Sequence, residues 1–183
     1  CGPFRRSWEV GGGLTRFGLP ISAEVEESDP ATGKERTVQY FERVRFEHRP
    51  ELGGTPGEIQ LGLLGLTVTA GRNEAPFARI QPFADTEERR HLPPSGHSLA
   101  GGFQHCWSAG GGLPTFGLPI SEEFREVNAS DGRTYTVQYF ERNRFEYHPE
   151  HKGTPYEIQL GLLGSLLTTG RAFPPGAPVP DGP

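Results

Sequence analysis

The residues best suited to chemistry form a charged block that occurs twice, at residues 37–47 and 136–146. Both copies read TVQYFERxRFE and lie 99 residues apart. Two carboxylates facing each other across a substrate, one with a raised pKa, would suit glycoside hydrolysis. On a β-hairpin such charges are more typical of cross-strand ion pairs on the exposed face. We expect this structural role for the charged residues of the first block and for two glutamates before it: Glu42, Arg43, Arg45, Glu47, Glu24 and Glu27.

Four aromatic side chains are candidates for glycan binding, because an aromatic ring can stack on the apolar side of a pyranose: Trp8, Trp107, Tyr40 and Tyr139. Packing is the competing interpretation for the tryptophans. Phe4 precedes Trp8 by four residues, which places both on one face of a predicted short helix. A run of three glycines follows, so this pattern favours a core position for each tryptophan.

Other signatures of catalysis are missing from the sequence. The histidines do not recur between the copies, since His48 aligns with Tyr147 and His148 with Arg49. A metal ligand or general base used by both copies would recur. The chain contains no GxSxG, HExxH or phosphate-binding glycine loop. We therefore expect no enzymatic activity, no metal and no cofactor.

The two cysteines, Cys1 and Cys106, are predicted to form a disulfide, within one chain or between chains. An even number of cysteines without a CxxC pattern is typical of an oxidising compartment rather than of a zinc site. An N-terminal Cys1 also suits a bacterial lipoprotein, in which the thiol would carry the lipid. Cleavage of a signal peptide would explain the start at Cys1, although an arbitrary start would look the same.

The elements that position these residues belong to an internal repeat. The offset of 99 holds without a gap from Phe4 and Phe103 to Arg72 and Arg171. We expect an α+β fold of two tandem homologous modules, each a β-hairpin or small antiparallel sheet with short helices and many loops. The predicted boundaries are 1–72 for the first module, 73–102 for a connector, 103–171 for the second module and 172–183 for a Pro/Gly-rich tail.

Local patterns predict a hairpin and a helix in each copy. Residues 37–42 and 45–48 are expected to form the arms of a hairpin that turns at Arg43-Val44. Thr55, followed by Pro56 and Glu58, resembles a capping box and predicts a helix that begins there and continues to about residue 64. The apolar run after residue 58 would also suit a strand.

Composition limits the partners. The net charge is −5 and there is no basic tract, so nucleic acid is not expected as a partner. No apolar window is long enough for a membrane span. Hydrophobic residues make up only 33% of the chain. Because modules this small bury little apolar surface, we expect them to rely on each other, on a covalent link or on neighbouring chains.

The order Trp, Gly-Gly, Leu, Phe-Gly-Leu-Pro-Ile-Ser, an aromatic and glutamate-rich hairpin, and a Leu-Gly segment resembles the LGFP repeats of secreted cell-wall proteins. It is closer still to longer tandem repeats in exported proteins of Chloroflexi-type bacteria. The Phe-Gly-Leu-Pro core occurs at residues 17–20 and 116–119. The resemblance implies an exported, non-catalytic module associated with the bacterial cell envelope.

These observations predict a secreted structural protein that self-assembles head to tail into an extracellular filament or surface layer. The alternative is a module that binds and anchors to cell-wall polysaccharide. The tail of one copy would dock on the next copy, because the tail aligns with the connector and Cys1 aligns with Ala100. The tail folding back on its own second module is the competing interpretation. The residues predicted to form the joint are Cys1, Phe173, Pro174, Pro175, Pro178, Val179 and Pro180.

Overall fold

The computed structural model describes residues 2–28 and 33–174 and has a mixed α+β fold, which confirms the predicted fold class. Its helices are short: α1 (Pro3–Gly11), α2 (Gly13–Phe17), α3 (Leu64–Val68), α4 (Gly101–Ala109), α5 (Gly112–Phe116) and α6 (Leu163–Thr168). Its strands are β1 (Val25–Ser28), β2 (Glu35–Tyr40), β3 (Arg45–His48), β4 (Ile59–Leu61), β5 (Arg89–Leu92), β6 (His97–Ala100), β7 (Phe124–Val127), β8 (Thr134–Tyr139), β9 (Arg144–Tyr147) and β10 (Ile158–Leu160).

The chain divides into two compact units, one of which is discontinuous in sequence. Unit 2 consists of residues 63–163. Unit 1 consists of the residues up to Gly62 together with those from Gly164 onward. The chain therefore leaves unit 1 after Gly62 and returns to it at Gly164. The predicted module boundaries follow the period of the sequence, whereas these units follow the packing.

The sheet of unit 1 is antiparallel, with the strand order β1-β2-β3-β4. Strands β2 and β3 form the predicted hairpin, in which Tyr40 lies opposite Arg45. The connection spans residues 41–44, and the amide of Phe41 donates to the carbonyl of Val44 at 2.8 Å. The turn is therefore longer than the Arg43-Val44 turn predicted from sequence.

Helices α1 and α2 supply aromatic side chains to one face of this sheet. The ring of Phe46 lies 6.3 Å from Phe4, 5.0 Å from Phe17 and 4.6 Å from Phe41 between centroids. All four side chains are buried. Helix α1 ends where Gly12 adopts φ 118°, a left-handed conformation that favours glycine. The compact core of unit 1 is thus built mainly from phenylalanine.

The four-stranded sheet of unit 2 has the order β10-β9-β8-β7, and its strands begin and end 99 residues after those of unit 1. Phe145 is its central aromatic residue, with Phe103, Phe116 and Phe140 at 5.9, 4.9 and 4.3 Å. The predicted connector contributes an additional hairpin, β5-β6. That the two modules superpose stays a prediction.

The prediction of a helix that begins at Thr55 is wrong. Thr55 and Glu58 do bond to nearby backbone amides, because Gly57 N donates to Thr55 Oγ1 at 3.2 Å and Gly54 N donates to Glu58 Oε2 at 3.1 Å. They close a single turn, after which residues 59–61 pair with β3 as strand β4. Pairing with the sheet outweighs the local helix signal, and helix α3 begins only at Leu64. None of the helices within residues 2–28 and 33–174 is long and apolar enough to cross a membrane.

Candidate functional site

Within the charged block, Arg45 and Glu47 and their counterparts in unit 2 lie on one face of each sheet, because side chains alternate between the two faces of a strand. In unit 1, Tyr40 lies opposite Arg45, which is two residues before Glu47. Glu27 lies on the neighbouring strand β1. The opposite face carries Phe46 and the aromatic core.

In unit 1 these side chains form a closed hydrogen-bonded network. Tyr40 Oη donates to Glu27 Oε2 at 2.9 Å, and Arg45 Nη1 lies 3.3 Å from both of these oxygens. Arg45 Nη2 also donates to Glu47 Oε1. The second oxygen of Glu47 accepts from Arg49 Nη2 at 3.2 Å. Both carboxylates are therefore held by arginines of the same unit.

Unit 2 contains the corresponding network. Tyr139 Oη donates to Glu126 Oε2 at 2.7 Å, and Arg144 Nη1 lies 3.1 Å from both oxygens. Arg144 donates to Glu146 Oε1 through Nη2 and through Nε, the latter at 3.0 Å. Asn128 Nδ2 donates to Glu146 Oε2 at 3.2 Å. Asn128 thus binds the second oxygen of Glu146 as Arg49 binds that of Glu47 in unit 1.

The prediction that these charges lie on an exposed face is wrong for Glu47 and for its counterpart Glu146, which are 6% and 3% exposed; Glu24, in contrast, is exposed. A further segment of the chain lies against the polar face of each sheet. Burial raises the pKa of Tyr139 above its ordinary value. Burial acts to lower the pKa of Arg144, but the negative charge of Glu146 and the bond to Tyr139 raise it above the ordinary value. The network thus holds a fixed cation and a neutral phenol.

The covering segment in unit 1, which we term closing segment 1, consists of residues 164–174. Its Arg171 donates from Nη2 to Glu27 Oε1 at 2.6 Å and from Nη1 to Tyr40 Oη at 3.1 Å. The guanidinium carbon lies 5.1 Å from the centre of the Tyr40 ring and 4.9 Å from that of Phe173. The Phe173 and Tyr40 rings are 5.5 Å apart. Closing segment 1 thereby completes the ion network and covers the tyrosine.

Closing segment 2 consists of residues 63–77 and covers the polar face of unit 2. Its Arg72 donates from Nη1 to Glu126 Oε1 at 2.7 Å. The guanidinium carbon lies 4.5 Å from the centre of the Phe77 ring and 5.4 Å from that of Tyr139. Phe77 packs 5.8 Å from Tyr139. Arg72 and Arg171 are 99 residues apart, so equivalent arginines complete the two networks.

A glycine of each closing segment lies directly against the backbone of a hairpin turn. A Cβ atom built on Gly164 would overlap the carbonyl oxygen of Phe41, and Gly65 stands in the same relation to the corresponding carbonyl of unit 2. The amide of Ser165 donates to the carbonyl of Glu42 at 3.0 Å. A glycine is required at this position because only hydrogen fits against the backbone.

Glu42 and Glu141, which lie in the hairpin turns, have a separate structural role. Glu42 Oε2 accepts from the amide of Leu19 at 2.9 Å, and Glu141 Oε2 accepts from Leu118 at 3.0 Å. The adjacent Gly18 has φ 77°, and the Glu42 side chain occupies the space that a Cβ there would need. These glutamates fix the Phe-Gly-Leu-Pro segments against the hairpin turns.

Trp8 both packs within unit 1 and lines an open cleft. Its Nε1 donates to the carbonyl of Gly18 at 2.9 Å, and the side chain is half-buried. The cleft has a volume of about 300 Å³. Its lining residues are Arg5, Trp8, Leu19, Pro20, Gln39 and Phe41. The combination of an indole, apolar side chains and a few polar groups suits a small apolar surface such as one side of a sugar ring.

The equivalent face of unit 2 is occupied by the chain itself. Trp107 Nε1 donates to Gly117 O at 3.0 Å, as Trp8 does to Gly18. Gln138, the counterpart of Gln39, is 1% exposed and donates from Nε2 to the carbonyl of Ser98 in β6 at 2.7 Å. The connector hairpin therefore covers in unit 2 the face that forms the cleft of unit 1.

The structure thus separates the four residues predicted to bind glycan. Trp8 and Trp107 lie near the Phe-Gly-Leu-Pro segments, whereas Tyr40 and Tyr139 lie in the ion networks and are only 3% and 4% exposed. Glycan stacking on Tyr40 would require displacement of closing segment 1. Trp8 is the candidate whose surroundings leave a cleft.

A Ser-His-Glu cluster in unit 2 has the composition of a catalytic triad but not its geometry. Ser98 donates to Glu122 through its amide at 2.8 Å and its hydroxyl at 2.5 Å, and His97 Nδ1 lies 3.2 Å from the same carboxylate. Burial acts to raise the pKa of Glu122, but hydrogen bonds from His97 and Ser98 hold it below the ordinary value. Because the serine bonds to the glutamate, this arrangement gives no nucleophile–base pair. The cluster instead anchors strand β6.

The remaining predicted residues fall partly outside the structure. Cys1 is not among the described residues, so its disulfide with Cys106 stays a prediction; Cys106 is half-buried in α4. Phe173 packs on Tyr40 of the first repeat rather than on the second module, and Pro174 is exposed. The other predicted tail residues lie outside the described residues: Pro175, Pro178, Val179 and Pro180. Within residues 2–28 and 33–174, no group of three or more His, Cys, Asp or Glu side chains could hold a metal ion.

Comparison of the chain with protein-family models, with curated proteins and with solved structures gives no match. The interpretation of the site therefore depends on its geometry. Sequence reasoning missed Arg72 and Arg171, although both signals were in the repeat. They form the last identical pair of the alignment, after residues 66–68 and 165–167, which differ between the copies.

Proposed function

We propose that the protein is a secreted, non-catalytic tandem-repeat structural protein that self-assembles head to tail into an extracellular filament or surface layer. The observation that carries this proposal is the engagement of the repeated charged residues inside the units. Glu27 and Glu47 are bound by arginines, and closing segment 1 covers the face on which they lie. Charges that served catalysis would face a substrate cleft instead. This arrangement supports a role in holding the fold.

Exposed apolar side chains support self-association. Leu14 and Leu113 are 99 residues apart, and they are 56% and 51% exposed. Leu19 is 54% exposed beside the Trp8 cleft. Exposed leucines at the same position of both copies favour contact with another protein surface. The chemistry of these side chains suits a second copy of the same chain better than nucleic acid or another charged partner.

Electron microscopy of the purified protein tests this proposal. Negative-stain images and light scattering over a concentration series should show linear polymers or sheets whose mass grows with concentration. A charge-changed variant, Leu14→Lys, should shift assembly to higher concentration, while Val10→Lys is a control at another exposed apolar position that has no apolar counterpart of similar size. A wild-type protein that stays monomeric up to millimolar concentration would rule the proposal out.

Binding to cell-wall polysaccharide is the second candidate, and the cleft beside Trp8 favours it. The matched variants are Trp8→Ala and Trp107→Ala, because both remove an indole that bonds to a glycine carbonyl. In a pull-down on insoluble cell-wall polysaccharide, Trp8→Ala should abolish binding to the polysaccharide, whereas Trp107→Ala should bind as the wild type does. Equal retention of both variants and of the wild type would show that the cleft binds no glycan.

A further inference from the structure

Unit 1 is completed by a segment that is remote in sequence. Closing segment 1 contacts Glu27, Tyr40, Phe41 and Glu42, yet the whole of unit 2 lies between it and these residues along the chain. The Arg171–Glu27 bond spans 144 residues. Closing segment 2, in contrast, is part of the continuous unit 2, and its residues 73–77 are also the first residues of the connector. The two segments make similar contacts but differ in how they are tethered.

The contacts of closing segment 1 do not depend on which copy of the chain supplies it. Gly164 against the Phe41 carbonyl, the Ser165 amide on the Glu42 carbonyl, and Arg171 on Glu27 would be the same if the segment came from another molecule. Exchange of an identical element between copies is a low-cost route to association, since no new interface has to evolve.

We propose that closing segment 1 of one copy docks on unit 1 of a second copy, and that this exchange forms the head-to-tail joint. The inference rests on the proposed function and identifies its interface. The donor surface is residues 164–174 and the acceptor surface is formed by Glu27, Tyr40, Phe41 and Glu42. Because donor and acceptor are different surfaces, the contact is heterologous and extends into a filament unless the rotation closes a ring.

Closure within one chain competes with this exchange. A tethered segment meets its own acceptor at an effective concentration on the order of millimolar. Exchange therefore becomes dominant at high local concentration, as in a surface layer, and dilution returns closed monomers. The strength of the docking contacts cancels between the closed and exchanged forms, whereas the rate of exchange depends on how fast the segment is released.

Photo-cross-linking between isotopically distinct chains tests the proposal on the full-length protein. We would place p-benzoylphenylalanine at position 173, whose ring lies beside Tyr40, and mix ¹⁴N and ¹⁵N chains at high concentration. Mass spectrometry should find cross-links between position 173 and the Tyr40 region that join one light and one heavy peptide. The control carries the same group at position 77, beside Tyr139 in unit 2, and should give only unmixed cross-links.

The rate of mixing gives a second, independent measurement. Arg171→Ala removes the bonds to Glu27 and Tyr40 and should speed isotope mixing roughly tenfold or more, because a charge-assisted bond is lost. Arg72→Ala removes the equivalent bond in unit 2 and should leave the rate unchanged. Equal rates for the Arg171 variant and the wild type, or only unmixed cross-links at position 173, would overturn the exchange. If polymers form but all cross-links are unmixed, the exchange is refuted and the proposed function stands. If cross-links are mixed but no polymers form, the proposed function is refuted and the exchange stands.

Discussion

Gly65 lies in helix α3, where intrinsic propensity favours alanine over glycine by roughly 1 kcal/mol. Packing predicts the opposite sign for Gly65→Ala. An added Cβ would overlap the carbonyl oxygen of Phe140, and it would also lie 3.0 Å from that carbonyl carbon and 3.1 Å from the Asn143 oxygen. These are backbone atoms, and the amide of Phe140 bonds to that same Asn143 oxygen at 2.8 Å. The turn therefore has little freedom to move away.

The net effect follows from three contributions. Overpacking costs about 1–3 kcal/mol, and displacing the helix breaks the bond from Leu66 N to Glu141 O at 3.1 Å, about 1 kcal/mol. The gain in helix propensity offsets roughly 1 kcal/mol of this sum. We expect the variant to lose about 1–3 kcal/mol of unfolding free energy. For a chain of this size, a loss near the middle of that range lowers the melting temperature by about 4–8 °C.

Urea unfolding followed by tryptophan fluorescence measures this effect in unit 2, to which Gly65 belongs. A Trp8→Phe background leaves Trp107 as the reporter of unit 2. Gly65→Ala should lower its midpoint, while Thr67→Ala, at an exposed position of the same helix, should stay within about 0.5 kcal/mol of the parent. A Gly65→Ala protein as stable as its parent, or more stable, would refute the reasoning.

Three further predictions concern buried polar groups. Asn143 is fully buried, and neither side-chain polar atom has a hydrogen-bond partner among the described residues. Asn143→Val should therefore raise the free energy of unfolding by about 1–3 kcal/mol, whereas Val44→Asn should lower it by a similar amount. Urea titrations that give the opposite signs would contradict this account. Glu146→Gln should cost about 3–5 kcal/mol because it leaves the buried Arg144 charge partly uncompensated, and a loss below about 1 kcal/mol would be inconsistent with a buried ion pair. Since the folded-state pKa of Glu122 lies below its ordinary value of 4.5, the stability it contributes is complete above that pH and is lost as the pH falls below it. Thermal melts from pH 6 to pH 3 should therefore show a smaller loss of stability in acid for Glu122→Gln than for the wild type. An equal loss would argue against this contribution.

The sequence predicted the local elements better than the long-range contacts. The hairpin of β2 and β3 was predicted from its own residues, because alternation and aromatic content are local properties. The prediction of a helix after Thr55 is wrong because Thr55 and Glu58 bond to nearby amides whether or not a helix follows. Pairing of Ile59 to Leu61 with β3 decides the outcome.

Burial of the charged face could not be derived from the hairpin alone. Glu47 was expected to be exposed because nothing near it in sequence covers that face. Arg171 and Phe173 cover part of that face at Tyr40, and they become neighbours of Tyr40 only in the folded chain. The identity of Arg72 and Arg171 at equivalent positions was the signal for such a contact, but it did not indicate which sheet each arginine would meet.

The separation between Glu27 and Arg171 also sets an order for folding during synthesis. Unit 2 is continuous, so all of its residues have been translated once residue 163 has been added. Unit 1 begins earlier but waits for residues 164–174, which are translated after the whole of unit 2. Contacts of such high sequence separation form slowly because the entropy of loop closure opposes them. A nascent chain should therefore carry a native unit 2 together with a unit 1 whose ionic face is still exposed to water. In pulse proteolysis of ribosome-bound chains, unit 1 should still be cleaved at chain lengths at which unit 2 already resists the protease.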